Sequence, residues 1–230
     1  MVKIDNTSIE DLQLCLSERP PIPTPEQDVD HIDIKGRHGS LTKKYGFKDI
    51  SYSLTFDFLE DVPFKPAFRK AKPVFFNGKK LAFEDDPGIF YKIKSVTIDE
   101  AENEVMEYGQ FTANFILAPF QYEVNVPTQT ITGQTTLTNE GYESEPYIKA
   151  HAAGTGKVYI NDQVVTIKDI NGFIELDSEI MNAYRKTDGY ITNLNNHMIG
   201  DFPVLAHGKN VIKFDGAITK LEVNPRWRWV

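Results

Sequence analysis

The 230-residue chain has a single cysteine, Cys15, so it cannot close an internal disulfide. It also lacks an N-terminal apolar run behind a basic flank. Together these argue against a secreted, disulfide-stapled protein, and the chain reads as cytosolic at synthesis. No stretch approaches the ~18–20 consecutive apolar residues that cross a bilayer, and the mean hydropathy is −0.37, which argues against an integral membrane protein and against a membrane partner. Positive charge is scarce as well, with 25 Lys and Arg against 33 Asp and Glu and a formal net charge of −8. Split near residue 130, the balance is 15 basic to 21 acidic before and 10 to 12 after. Neither half has the surplus that phosphate-backbone binding draws on, so no nucleic-acid partner is expected.

The signatures of catalysis are missing too. The five histidines, His31, His38, His151, His197 and His207, are scattered, with no H-E-x-x-H and no C-x-x-C spacing for zinc. Gly154-Thr155-Gly156-Lys157 resembles the end of a phosphate loop, but His151 stands where its first glycine belongs and Val158 where a magnesium-holding Ser or Thr belongs. These glycines read as a turn into a strand at Val158. Gly39-Ser40 lacks the second glycine of a hydrolase elbow. The acidic groups Glu84-Asp85-Asp86 and Asp99-Glu100-Glu102-Glu104 match no calcium-loop spacing and read as solvated turns. No enzyme, cofactor or metal is expected.

Alternation of large apolar with small polar residues dominates what is present. In Ser51–Phe58, Tyr52, Leu54, Phe56 and Phe58 share one face of a period-two pattern, and Phe111, Ala113, Phe115 and Leu117 do the same further on. Both read as half-buried antiparallel strands. Between them, Val62–Ala71 reads as a short helix that Pro73 stops. Asn77-Gly78 reads as a type I′ turn and Asp86-Pro87-Gly88 as a second reversal. A strand follows over Ile89–Ile98, with a phase shift between Ile93 and Val96 that signals a bulge.

Pro20, Pro21, Pro23 and Pro25 make residues 19–25 an extended, polyproline-like segment, either a stiff connector or a ligand for a proline-reading module. From about residue 125 the composition changes, with six threonines in Thr128–Thr138. Domains of 1–127 and 128–230 follow. The second domain reads as a sandwich or barrel of short strands separated by Gly and Asn: a hairpin across Asn161-Asp162-Gln163, then strands over 172–176, 210–214 and 218–223.

Two local features invite a contact role. Gly36-Arg37-His38-Gly39 sets a guanidinium and an imidazole between glycines, as a plain hairpin turn or as a loop touching another subunit. Arg226, Trp227, Arg228 and Trp229 are residue types favoured at interfaces, although they also suit a final strand closing the domain.

Four stretches, in order, resemble the distal tail protein (Dit) family of long-tailed, non-contractile phages of Gram-positive hosts. They are residues 19–25 with 36–41 and the Tyr52–Phe58 strand; 81–86 leading into 90–93; 109–115 ending at 118–122; and 200–205 with 208–210 and Pro225-Arg226-Trp227. In the helix region, where the family often has a tryptophan before the wing strands, this chain has Phe75-Phe76. The resemblance implies a mainly β protein: an N-terminal β-sandwich with a helix and a projecting hairpin, and a C-terminal galectin-like β-sandwich. It further implies a homo-hexameric ring in the virion tail tip, assembled in the host cytoplasm. That ring would join the tail tube protein to a tail-associated lysin or tail-tip protein, with a receptor-binding protein as a further partner. Arg37, His38, Arg226, Trp227 and Trp229 are the candidate interface residues. The alternative is a carbohydrate-binding module for host cell-wall saccharide, using Tyr184, Arg185, Tyr190, Asn193, Asn195, Asn196 and His197.

Overall fold

The computed structural model describes residues 2–59, 63–105 and 108–230, without the side chains of 102–105 and 108. The chain divides into two compact units, the first running to Val124 and the second Asn125–Trp229.

The first unit contains β1 (Val2–Ile4), β2 (Thr7–Ser8), a 3-10 turn (Ile9–Leu12), β3 (Leu14–Leu16), β4 (Gln27–Ile32), β5 (Leu41–Phe47), β6 (Ile50–Phe58), α1 (Phe64–Asn77), β7 (Lys80–Phe83), β8 (Ile89–Ile98), β9 (Glu102–Val105) and β10 (Tyr108–Glu123). Seven of these strands form an antiparallel sheet in the order β2-β1-β7-β8-β10-β6-β3, with β9 also on β10. Laid flat, seven strands at ~4.8 Å spacing would hold β2 and β3 about 29 Å apart. Only residues 9–13 connect them, and four of these are in a 3-10 turn, which rises only about 2 Å per residue. The sheet therefore curls until its two edges approach, wrapping one core.

The two strands with the clearest period-two pattern are direct neighbours in that core. Phe111 lies opposite Phe56, Ala113 opposite Leu54, Phe115 opposite Tyr52 and Leu117 opposite Ile50. All eight side chains are buried. Helix α1 closes the open side of the curl with Phe64, Ala67, Ala71 and Phe75, spaced to fall on one face. Phe75 meets the stacked Phe56 and Phe111 rings edge-on, at 5.1 and 5.5 Å between centroids. Burying each such ring contributes roughly 1.5–3 kcal/mol.

Pro73, expected to stop α1, sits inside the helix, and the expected start at Val62 lies outside the described residues. Proline costs the bond from residue 73 to the carbonyl of Arg69, but both residues are on the exposed face, where water can replace it. Two residues further, Phe75 and its burial hold the helix on course. Asn77-Gly78 is no type I′ turn either. Asn77 is the last helical residue, and Gly78 has φ −58°. A Cβ on Gly78 would lie 2.3 Å from Ile4 Cγ2, so glycine is required there for close packing. Asp86-Pro87-Gly88 does reverse the chain, with the Ile89 amide donating to the Asp86 carbonyl. The bulge in β8 falls between Ile93 and Ser95, where pairing with β10 shifts register.

The second unit contains β11 (Gln129–Ile131), β12 (Thr135–Asn139), β13 (Tyr147–Ile160), β14 (Gln163–Asp177), β15 (Asn182–Thr187), β16 (Tyr190–Asn193), a 3-10 turn (Asn195–His197), β17 (Met198–Ile199), β18 (Gly208–Asn224) and β19 (Arg228–Trp229). Asn161-Asp162 forms the expected tight hairpin. The expected separate short strands are instead halves of long ones: 172–176 belongs to β14, and 210–214 and 218–223 are both β18.

Each of β13, β14 and β18 bends near its middle, where the register shifts: at Gly154–Gly156 in β13, between Ile167 and Ile170 in β14, where Asp169 has φ 51°, and next to Gly216 in β18. Gly154, Gly172 and Gly216 have φ of 137°, 103° and 68°. The early half of β13 pairs with the late halves of β14 and β18, and its late half pairs with their early halves. One hydrogen-bonded sheet thus folds into two layers. β15, β16 and β11 extend the first layer; β17 and β12 extend the second. Ile148, Ile174 and Leu221 from one layer and Ile160, Ile167 and Ile212 from the other share a single core. The glycines bend these strands without ending them, so the phosphate-loop likeness at Gly154–Lys157 is a mid-strand fold and the expected turn into Val158 is absent.

Gly156 sits where β13 crosses β18, and a Cβ there would lie 2.5 Å from the Asp215 backbone oxygen. Gly156→Ala is expected to lower stability by ~1–3 kcal/mol, read as a lower urea midpoint with an unchanged slope.

Candidate assembly surface

Residues 19–25 run as an extended strap between β3 and β4, outside any ladder. The strap lies over Tyr52, Phe83 and Tyr91, whose rings meet edge-to-face at 6.2 Å. Tyr52 Oη donates to the Pro21 carbonyl at 2.7 Å, and Tyr91 Oη to that of Pro23 at 3.4 Å. A polyproline segment leaves its carbonyls unpaired and loses little entropy on docking, so aromatic hydroxyls are suited to hold it. Burial is the chief cause that raises both phenols, Tyr91 to about 12, so they stay protonated donors across the physiological range. A shallow cavity of about 220 Å³ remains between strap and sheet, lined by Pro21, Ile22, Phe83 and Gln121 among others.

The strap delivers the chain to a clamp at the root of an arm. There Lys48 bonds Glu26 through both backbone and side chain at 2.9 Å, and Phe47 meets Phe120 edge-on at 5.9 Å. Beyond the clamp, β4 and β5 pair only with each other, and almost every residue is exposed. Ile32 lies opposite Leu41 and Asp30 opposite Lys43. Tyr45 on the same face donates to Asp30 at 2.8 Å, with Lys43 Nζ 4.7 Å from its ring centre. Ile32, Leu41 and Tyr45, with Ile34 just beyond β4, are 47, 39, 54 and 45% exposed. An isolated two-stranded ribbon with this much exposed apolar surface and two open edges is marginal alone and is suited to contact another chain.

Arg37 and His38 are exposed at the arm tip. Gly36 and Gly39 flank them at φ of 88° and 72°, with nothing within 4 Å of a built Cβ. These glycines serve conformation, not packing. The apolar strip went unnoticed in the sequence reading, although the alternation Asp30, Ile32, Ile34 carries it. The tyrosine–strap bonds have no sequence signal, because they join residues 31 and 68 positions apart.

The candidates of the second unit are differently placed. Arg226, at φ 50°, makes a bidentate pair with Asp177 at 2.6 and 2.9 Å and reaches Glu179 at 3.3 Å. Trp227 packs against the core, and Arg228 is buried on Glu145 at 2.8 Å. Trp229 is 36% exposed. Of the saccharide candidates, Tyr184 pairs across from Asn193, and Tyr190 is 81% exposed. Asn195 accepts from the Ala183 amide, the His197 ring bonds the Lys168 carbonyl, and Arg185 donates to the Phe173 carbonyl. Asn195, His197 and Arg185 are therefore engaged with backbone groups of their own unit. Among the described residues, no group of three or more His, Cys, Asp or Glu is arranged to hold a metal ion.

Tyr52→Phe is expected to destabilise the first unit by ~0.5–1.5 kcal/mol and to increase proteolysis within residues 19–25. Tyr91→Phe, which loses a longer bond, should cost less; equal protection of the strap in both variants would contradict this order. For Asp177, burial alone raises the carboxyl, but the hydrogen bonds and charge of Arg226 outweigh it and hold it below the ordinary 3.8. A depressed carboxylate stabilises the fold above its ordinary value, and that contribution is lost as pH falls through the lower folded value. Asp177→Asn should therefore cost up to about 3 kcal/mol at neutral pH and lose less further stability between pH 3.8 and stronger acid, as followed by denaturant midpoints.

No family model and no curated protein sequence matches the chain. Two solved structures share its fold from end to end. The SPP1 Dit (gp 19.1) protein, a paradigm of the hub adsorption apparatus in phages infecting Gram-positive bacteria, superposes with a TM-score of 0.65 at 12% identity, over 100% of this chain and 98% of that one. A chain of the phage P2 baseplate in its activated conformation with Ca superposes with a TM-score of 0.53 at 7% identity, over 99% and 92%. At these identities the likeness is one of fold: the mainly β architecture described above, with a curled sheet and one helix, is that of phage hub and baseplate proteins.

Proposed function

We propose that this chain is a non-catalytic structural hub of a phage tail tip. Its first units associate into a closed homo-hexameric ring, which joins the tail tube protein to a tail-associated lysin or other tail-tip protein and, through these, to a receptor-binding protein. The ring is a virion component assembled in the host cytoplasm. The observation that carries this reading is the end-to-end fold match to a hub protein, extending over both units at once. The arm supports it independently, because its open edges and apolar strip need a neighbour. A closed ring gives every copy that neighbour and leaves no terminal edge.

In this reading Arg37 and His38 touch the adjoining copy, and Arg226, Trp227 and Trp229 belong to a second contact region. Each contact needs to bury on the order of 800 Å² per partner to persist.

Sedimentation and negative-stain electron microscopy of the purified protein, alone and with its tail partners, should show rings. Compact monomers under every condition would defeat the proposal. Arg37→Ala is expected to weaken assembly while leaving the melting temperature unchanged. A micromolar hit on a cell-wall saccharide array that depends on Tyr190 would instead favour the carbohydrate-binding alternative.

A further inference from the structure

The charges of the first unit are segregated along the chain. Eleven of its fifteen Lys and Arg lie in two stretches, 34–48 on the arm and 63–83 over α1 and β7, and neither stretch contains an Asp or Glu. The other four basic residues share the rest of the unit with twenty-one acids. The helix shows what this achieves. While Phe64, Ala67, Ala71 and Phe75 face the core, Lys65, Arg69 and Lys70 are exposed on the opposite side. Among the described residues, no ion pair joins any of these three to a carboxylate. Lys72 lies 4.8 Å from the Phe68 ring centre, and Phe76 at the end of the same exposed side is 54% exposed. Like charges at i and i+4 destabilise a helix by ~0.2–0.5 kcal/mol, so Lys65 and Arg69 work against the helix they sit on. An exposed helix face ordinarily mixes signs to avoid this.

We propose that the cationic face of α1 docks on the acidic surface of a second copy of this chain. The inference rests on the hub reading and names the contact within it. Charge complementarity selects the occupant, because the chain carries both the bare cationic face and, elsewhere on the same unit, a large surplus of carboxylates. The exposed turn at Asp85 and Asp86 is one part of that surplus, one strand's length from the end of α1. A two-fold axis passing through α1 would set cation against cation, whereas a head-to-tail contact, the kind that closes a ring, sets basic against acidic at every step.

The test is the triple charge reversal Lys65→Glu, Arg69→Glu, Lys70→Glu, beside the neutral triple change to Gln, with association followed by sedimentation and folding by the melting temperature. Wild-type association is expected to weaken about tenfold or more as salt rises from ~0.05 to ~0.5 M. The Gln variant should weaken it further, and the Glu variant should abolish it, both with melting temperatures close to wild type. Assembly that survives both salt and reversal would overturn the inference while leaving the hub reading intact. Wild-type protein that stays monomeric even with tail partners would remove both. Duplex DNA serves as the competing probe: if it binds the wild type and the reversal abolishes that binding without touching self-association, the face belongs to nucleic acid and the inference fails.

Discussion

The pairing of β6 with β10 is the constraint on which the first unit depends. Its register sets Phe56 against Phe111 and Tyr52 against Phe115, and a slip of one residue would turn all of them to the opposite face. With those rings fixed, α1 has one place to bury Phe64 and Phe75. The 3-10 turn between β2 and β3 then draws the sheet edges together around the same cluster. At the other end of β6, Tyr52 both fills the core and donates to the strap. The register that builds the core thereby also determines where the arm leaves it.

The second unit solves its closure differently. It has no helix among its described residues, so the sheet itself must cover its apolar face. Three long strands do this by bending in step at Gly154 to Gly156, from Asp169 to Gly172 and at Gly216. A residue with a side chain would resist the left-handed φ at three of these positions and would strike the Asp215 carbonyl at Gly156. Inside, most buried polar groups are tied to partners, the Ser178 hydroxyl being an exception. Asn139 and Asn210 satisfy loop amides and carbonyls, and Asp177 with Arg226 fixes the turn after β14. Charges in this unit that lose water gain partners, as desolvation requires.

The arm and the outer face of α1 follow the opposite rule. Apolar residues stay exposed on the arm, and Lys65, Arg69 and Lys70 on the helix pair with no carboxylate among the described residues, although the rest of the same unit is rich in acids. Surfaces of this kind are uncomfortable in a lone chain and comfortable in an assembly, which connects the fold likeness to phage hub proteins with the chemistry of this particular sequence.

Period-two alternation alone was enough to identify β6 and β10 and to name their buried faces, because each strand has one face on the core and one toward solvent. Proline spacing likewise fixed the extended strap, since residues without amide hydrogens cannot join a ladder. Other signals misled. Pro73 and Asn77-Gly78 read as stops and turns because local propensity is all a sequence window contains, and only the burial of Phe75 and the contact of Gly78 with Ile4 overrode it. The glycines of the second unit read as strand ends because bending and ending look alike until the partner strands are known. By itself, then, the sequence determined which residues alternate, which cannot pair and where charge accumulates. The tertiary structure decided which strands meet, where Tyr52 finds the Pro21 carbonyl and which apolar and charged faces stay uncovered, because those depend on residues far apart in the chain arriving within bonding distance.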